Sequence, residues 1–325
     1  MEDTDKRIRI DLHAHGPIGF EPYWLRKQGY ADKNPLALWV DACLFRGIGL
    51  CAVISEQNGD GSPGWVIPRN SVHERFNLLI DSFPSLITSS PEHSYILTPL
   101  EANLIKVSRG TTNKTTGKTD YSHVYLITGQ TVVTREDDGT RLDHLVIGAN
   151  DLPNNVPLRK IVGIAKGCGY LQILEHPTVV EHYGAIDYAE DLSEHFDAVE
   201  GHDAQLCVPD WMSRVPKLGA FTRNRNQLAA EWAVNHNLTW IANSDAHRFE
   251  DIGLAYTEFP REKLDFGDTG ILIASLRGAL QSGEGISRQR TYAQFWPSKE
   301  HPMPGWWDWT TTFQWGIMQD RYKKG

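Results

Sequence analysis

The chain has 325 residues, 40% of them hydrophobic and 22% charged, a globular composition long enough to bury a sizeable core. Its 32 Lys and Arg against 41 Asp and Glu leave a net charge of −9, which argues against non-specific coating of duplex DNA or an anionic membrane. No apolar run approaches the roughly 18 residues that span a bilayer, and the charged start Met1–Lys6 offers no signal-peptide core. Cys43, Cys51, Cys168 and Cys207 lie far apart in apolar segments, with no C-x-x-C, and read as thiols of a reducing compartment. A cytoplasmic protein is expected.

In chain order, Ile8–Leu12 reads as a strand and Leu36–Phe45 as a helix that stops at Gly47. Leu50–Ser55 is a buried strand, Val72–Phe83 a helix ending before Pro84, and Tyr95–Glu101 and Val124–Thr128 are strands. Leu158–Lys166 is helical, Tyr170–Glu175 and Ala198–Glu200 are strands, and Asn224–Asn235 is an amphipathic helix. Thr239–Asn243 is a strand and Ile271–Gln281 the last clear helix. Strand and helix alternate, so a parallel sheet covered by helices is the economical architecture. Asp11, Ser55, Glu101, Glu175, Glu200 and Ser244 stand at strand ends, as in a barrel whose site lies at its C-terminal face.

Two segments stand apart. Residues 106–120 carry Lys106, Arg109, Lys114 and Lys118 against Asp120; they read as a solvated hairpin tip, with a flap steering an anionic substrate as the sharper alternative. The C-terminus gathers Trp296, Trp306, Trp307, Trp309 and Trp315, which suits either a tail packed on the barrel or a surface for a partner or second copy.

Candidate metal ligands recur along this frame. In Asp11-Leu12-His13-Ala14-His15, alternation along a strand turns His13 and His15 to one face, where both imidazoles can meet one ion. Asp11 shares that face and can orient a ligand imidazole. Asp245 and His247 stand two apart after another strand, and Glu101, His123 and Glu175-His176-Pro177 lie at strand ends between. Imidazoles and carboxylates without cysteine suit Zn²⁺, Mn²⁺ or Fe²⁺ in a hydrolytic site.

Together these motifs resemble the polymerase and histidinol phosphatase (PHP) family of metal-dependent phosphoesterases. The likeness runs from Ile8 to about Gln281 and includes Pro99-Leu100-Glu101, His123-Val124-Tyr125-Leu126, Val199-Glu200-Gly201 and Gly253-Leu254-Ala255-Tyr256-Thr257. The resemblance implies a distorted (β/α)7 TIM-like barrel over residues 1–290, with 291–325 as a Trp-rich extension. It also implies that His13, His15 and Asp245 hold one metal, that Glu101 bridges to a second held by His123 and His176, and that His247 belongs to a third position. At that third position Gln57 stands where the family has histidine, and Glu56 replaces Asp; Glu56 and Glu21 are the substitute ligands to consider.

The implied cofactors are two divalent ions, Mn, Fe or Zn, with a third left open. The implied reaction is attack of a metal-activated water on phosphorus, with His247 as ligand or as acid toward the leaving alkoxide. Arg248, Arg223 and Arg225 are the candidates for holding phosphate oxygens. The substrate would be a phosphorylated small molecule, a nucleotide or a short single strand. Two rivals remain: an amidohydrolase-type C–N or C–O hydrolase, and a PHP-like scaffold with a reduced metal site working inside a complex.

Overall fold

The computed structural model describes residues 7–15, 34–56, 93–149, 152–178, 184–204, 216–246 and 249–289. The expected helix Val72–Phe83, the expectations for Glu21, Gln57, His247 and Arg248, and the Trp-rich tail lie outside these residues.

The helices form where the local sequence starts and stops them. Helix α1 (Pro35–Arg46) begins with the Asn34 side chain accepting from the Ala37 amide at 3.0 Å, and ends at Gly47 with φ 70°. Helix α2 (Leu158–Cys168) buries Leu158, Ile161, Val162 and Ala165, the spacing of one helical face, before Gly169 turns the chain at φ 76°. Short helix α3 (Ile186–Ala189) and long helix α4 (Pro216–Asn235) follow. Helix α5 (Thr269–Gln281) is capped by Asp268, whose carboxylate accepts from the Ile271 amide at 2.7 Å.

The strands are β1 (Arg7–Ala14), β2 (Ile48–Glu56), β3 (His93–Glu101), β4 (Leu104–Thr112), β5 (Thr119–Arg135), β6 (Arg141–Ile147), β7 (Leu171–Leu174), β8 (Ala198–Asp203), β9 (Trp240–Asn243), β10 (Tyr256–Pro260) and β11 (Ile286–Arg288). They join in the order β11-β10-β1-β2-β5-β6-β7-β8-β9, with β3 and β4 attached to the side of β5. The path nearly closes on itself. Ala14 and Ala246 form a parallel bridge, and the Leu12 amide donates to Asn243 Oδ1 at 3.0 Å. The main apolar cluster joins Ile10, Leu12, Leu50, Ile54, Ile173 and Ile241 to Leu272 and Leu276 of α5. A second sets Trp39 and Val40 of α1 against Cys51 and Val53.

The sheet is mixed, which corrects the expected (β/α)7 pattern. The β1–β2, β2–β5, β7–β8 and β8–β9 pairs are parallel. The β5–β6, β6–β7 and β1–β10 pairs are antiparallel. Among the described residues strands outnumber helices. The cause is local: Asp138-Gly139, with Gly139 at φ 87°, folds the chain straight back between two apolar runs and makes a β5–β6 hairpin where a helical crossover was expected. Residues 106–120 form the hairpin of the blander reading. Strands β4 and β5 are joined by a turn in which Asn113 Oδ1 accepts from the Thr115 and Thr116 amides at 2.9 and 3.0 Å. No described helix is long and apolar enough to cross a membrane.

Candidate metal centre

Strand β1 carries His13 near its end, with His15 just past it, and both are buried. Their Nε2 atoms lie 2.9 Å apart. Asp245, just past β9, brings Oδ1 to 3.3 Å from His13 Nε2 and 3.4 Å from His15 Nε2. These donors form one group within 4.8 Å of one another, and Asp143, Glu175 and His176 form another.

The second group follows from strand register. Leu145 pairs with Ile173 across β6–β7, so continuing that antiparallel register by two residues sets Asp143 opposite Glu175. Leu174 pairs with Val199 across β7–β8, so Glu175 falls beside Glu200. Glu175 Oε1 stands 3.3 Å from His13 Nε2 and 3.4 Å from His176 Nε2, so it touches both groups. His176 Nε2 lies 4.0 Å from Asp143 Oδ2.

These spacings suit divalent ions. Ligand bonds of roughly 2.0–2.2 Å set neighbouring ligand atoms about 3–3.5 Å apart in tetrahedral or octahedral geometry. Glu175 Oε2 and His176 Nδ1 are also buried without a hydrogen-bond partner among the described residues. The donor set, all imidazole and carboxylate, is that of Zn²⁺, Mn²⁺ or Fe²⁺.

The electrostatics point the same way. Asp11, Asp143, Glu175, Glu200 and Asp203 are all buried in this wall, an excess of negative charge that calls for cations. Burial pushes His13 down, but Glu200, Asp245 and Glu175 outweigh it and hold the imidazole well above its usual range. His176 is treated alike: burial lowers it, Glu175, Asp143 and Glu200 raise it, and it settles at about 10. Burial raises Glu175, but His13 and His176 bring its carboxyl well below the usual range. Asp203 is pushed well up by burial and by the charges of Asp245 and Glu200. For His13, His176 and Glu175 the neighbouring groups outweigh burial, whereas for Asp203 burial leads and the neighbouring carboxylates add to it.

Further contacts fix the frame. Asp11 does not hold an imidazole, as its place in the motif suggested. Its carboxylate accepts from the Ser244 amide at 3.1 Å, the Gly253 amide at 2.9 Å and the Ser244 hydroxyl at 2.5 Å, which ties the segment before Asp245 to β1. Burial lifts the Asp11 carboxyl to about 6 against the pull of those donors. Thr131 on β5 donates its hydroxyl to Glu175 Oε1 at 3.1 Å. His176 at φ 20° and Asp245 at φ 45° both occupy the left-handed region that non-glycine residues seldom adopt.

The structure thus brings His13, His15, His176 and Asp245 together as the motifs implied. It does not bring Glu101 or His123. Strand β5 spans 17 residues, and its end at Thr131 reaches the cluster. His123 lies eight residues earlier on the same strand, roughly 26 Å away at about 3.3 Å per residue. It is exposed, its Nδ1 lies 2.8 Å from the Ser108 hydroxyl, and burial with nearby Lys106 lowers its pKa. Glu101 is exposed beside the β3–β4 turn and accepts the Thr269 amide at 3.0 Å, at the start of α5. Glu101 therefore lies apart from both groups, and Glu175 is the carboxylate that touches both.

Asp143 is absent from the sequence motifs, and Glu175, a strand-end candidate there, is absent from the ligand set that the resemblance implies. The available signal was Asp143-His144, polar residues inside the apolar run Leu142–Ile147. Arg225 is half-buried on α4, and its carbonyl accepts from the Thr178 hydroxyl at 2.8 Å, two residues past His176. Arg223 lies on α4 and Glu56 closes β2, but their side chains fall outside the described residues.

Fold and site define a mixed α/β, barrel-like protein with a buried imidazole–carboxylate centre suited to divalent ions. A family model described as PHP-associated matches residues 223–277, the stretch from α4 through Asp245 into α5, consistent with a PHP family protein. No curated protein matches the chain. The chain is also similar to the crystal structure of PsfC from Pseudomonas syringae PB-5123, at 14% identity and a TM-score of 0.47, with 89% of this chain and 93% of that chain covered.

Proposed function

We propose that this protein is a metal-dependent hydrolase that cleaves a phosphoester. The observation that carries the reading is Glu175 Oε1, 3.3 Å from one imidazole group and 3.4 Å from the other, which joins two ligand sets into one dinuclear centre. His13, His15 and Asp245 would hold one ion, and Asp143 and His176 the other, with Glu175 between them. Two such ions supply a lowered pKa for water and a clamp on phosphoryl oxygens.

The chain's own residues do the rest. Thr131 donates to Glu175 Oε1 and holds that carboxylate in place. Asp11 anchors the Ser244 segment so that Asp245 faces β1. Burial, with the charges of Asp245 and Glu200, pushes the Asp203 carboxyl well up. His247 as acid toward the leaving alkoxide, and Arg248, Arg223 and Arg225 as phosphate contacts, belong to this proposal, as do Glu56 and Glu21 at a third position.

A net charge of −9 favours a phosphorylated small molecule, a nucleotide or a short single strand over long duplex DNA. The test is elemental analysis of protein purified without chelator, followed by a panel of phosphomonoesters, phosphodiesters and amides. Two equivalents of Mn, Fe or Zn with phosphoester turnover support the reading. Amide turnover alone would assign the site to an amidohydrolase, and absence of metal after reconstitution would assign it to a scaffold.

A further inference from the structure

We propose that Glu200 is the positioning residue that sets both halves of the metal centre at once; the inference rests on the dinuclear reading above. Glu200 sits on β8, is 1% exposed, and belongs to neither ligand group. Its Oε1 accepts from His13 Nδ1 at 2.8 Å and from Asn243 Nδ2 at 3.0 Å. Its Oε2 accepts from the backbone amide of His176 at 3.0 Å. One carboxylate therefore holds a side chain of the first group and the backbone of the second.

The donor accounting shows why this residue must present two acceptor oxygens. Asn243 Oδ1 accepts the Leu12 amide, which fixes the side-chain amide and turns Nδ2 toward Glu200. The His176 amide can only donate. Every group facing Glu200 brings a proton, and only a carboxylate accepts from all of them. The bond from His13 Nδ1–H leaves Nε2 as the atom directed at His15, Asp245 and Glu175, the arrangement in which a carboxylate fixes the tautomer of a ligand imidazole. On the other side, the bond to the His176 amide holds a residue at φ 20°, a conformation that persists only when its surroundings enforce it. Asp11 is comparably buried, but its hydrogen bonds reach His13, Ser244 and Gly253 and none of the second group.

Glu200→Gln exchanges one acceptor oxygen for an NH₂ that must oppose either His13 and Asn243 or the His176 amide. Glu200→Asp keeps both acceptors on a shorter arm. The experiment titrates the metal-free full chain, wild type and both variants, with Co²⁺ and Mn²⁺ by calorimetry, with elemental analysis for stoichiometry and the Co²⁺ absorption spectrum for geometry. Thermal melts establish that each variant folds. Glu200→Gln is expected to weaken binding about 10- to 100-fold and to change the Co²⁺ spectrum, with Glu200→Asp partly restoring both. A folded Glu200→Gln that binds both equivalents with wild-type affinity and spectrum overturns the proposal. Should Glu200→Gln fail to fold, wild-type binding by Glu200→Asp overturns it equally. If the wild type binds no metal, the dinuclear reading falls on its own account. Glu200 is then judged in the metal-free protein by the His13 Nδ1–H resonance and the exchange rate of the His176 amide, and neither changing in Glu200→Gln overturns its positioning role.

Discussion

Two regions of this chain offer histidines and glutamates at strand ends, yet their chemistry diverges. At the ends of β1, β7 and β9 the imidazoles of His13, His15 and His176 are withdrawn from solvent and face carboxylates at 2.8–3.4 Å spacings. In the β3–β4–β5 hairpin, Glu101 and His123 lie exposed, and each is satisfied locally, by the Thr269 amide and the Ser108 hydroxyl. The contrast teaches that residue type and strand-end position select candidates, while convergence under burial selects the site.

That contrast can be broken by experiment. The largest effect is expected from His13→Ala and Asp245→Ala, which remove a donor shared within the first group. Each should lower metal affinity by more than the roughly 10- to 100-fold lost with an outer partner, and abolish turnover. Metal content and activity equal to wild type in either variant would sink the assignment. Next comes Glu175→Gln, which leaves a neutral amide between the two groups; elemental analysis should find one equivalent or fewer per chain, whereas two would remove Glu175 from the bridging role.

A smaller effect concerns stability. His144 is buried beside Phe196, and burial lowers its pKa to about 4. Its ordinary value is near 6.5, so between those values the unfolded chain takes up a proton that the folded chain refuses. Stability from this group is therefore complete above about pH 6.5 and falls as pH drops toward 4, by at most about 3 kcal/mol. His144→Gln should flatten denaturant melts over that window, and an unchanged slope would count against the burial argument. The smallest effect is expected at the other region: Glu101→Ala and His123→Ala should leave metal stoichiometry untouched, and loss of an equivalent in either would restore the original ligand set.

Much of the centre was legible because His13-x-His15, Glu175-His176 and Asp245 are local signals, each readable from alternation within one strand or the turn after it. The carboxylate that touches both groups was not, because it depends on which end of a strand reaches the cluster. Strand β5 pairs in parallel with β2 from Tyr125 to Thr131, so Thr131 falls at the end that reaches the cluster and His123 at the opposite end. Similarly, the helices framed by Gly47 and Gly169 were visible in their caps. The antiparallel strand β6 is announced only by the short Asp138-Gly139 turn before it. Asp143 went unseen with it.

The seam of the barrel has a consequence for how long the molecule survives. Among the described residues, β1 meets the segment after β9 through one backbone bridge, Ala14 to Ala246, with His13 and His15 on one side and Asp245 on the other. An ion gripped by those three would act as a rivet through the joint. Chelation would then do more than empty the site: it would remove one tie across this seam, leaving the Ala14–Ala246 bridge and the hydrogen bonds of Asp11 and Asn243 to hold it, and proteolytic lifetime would track metal supply.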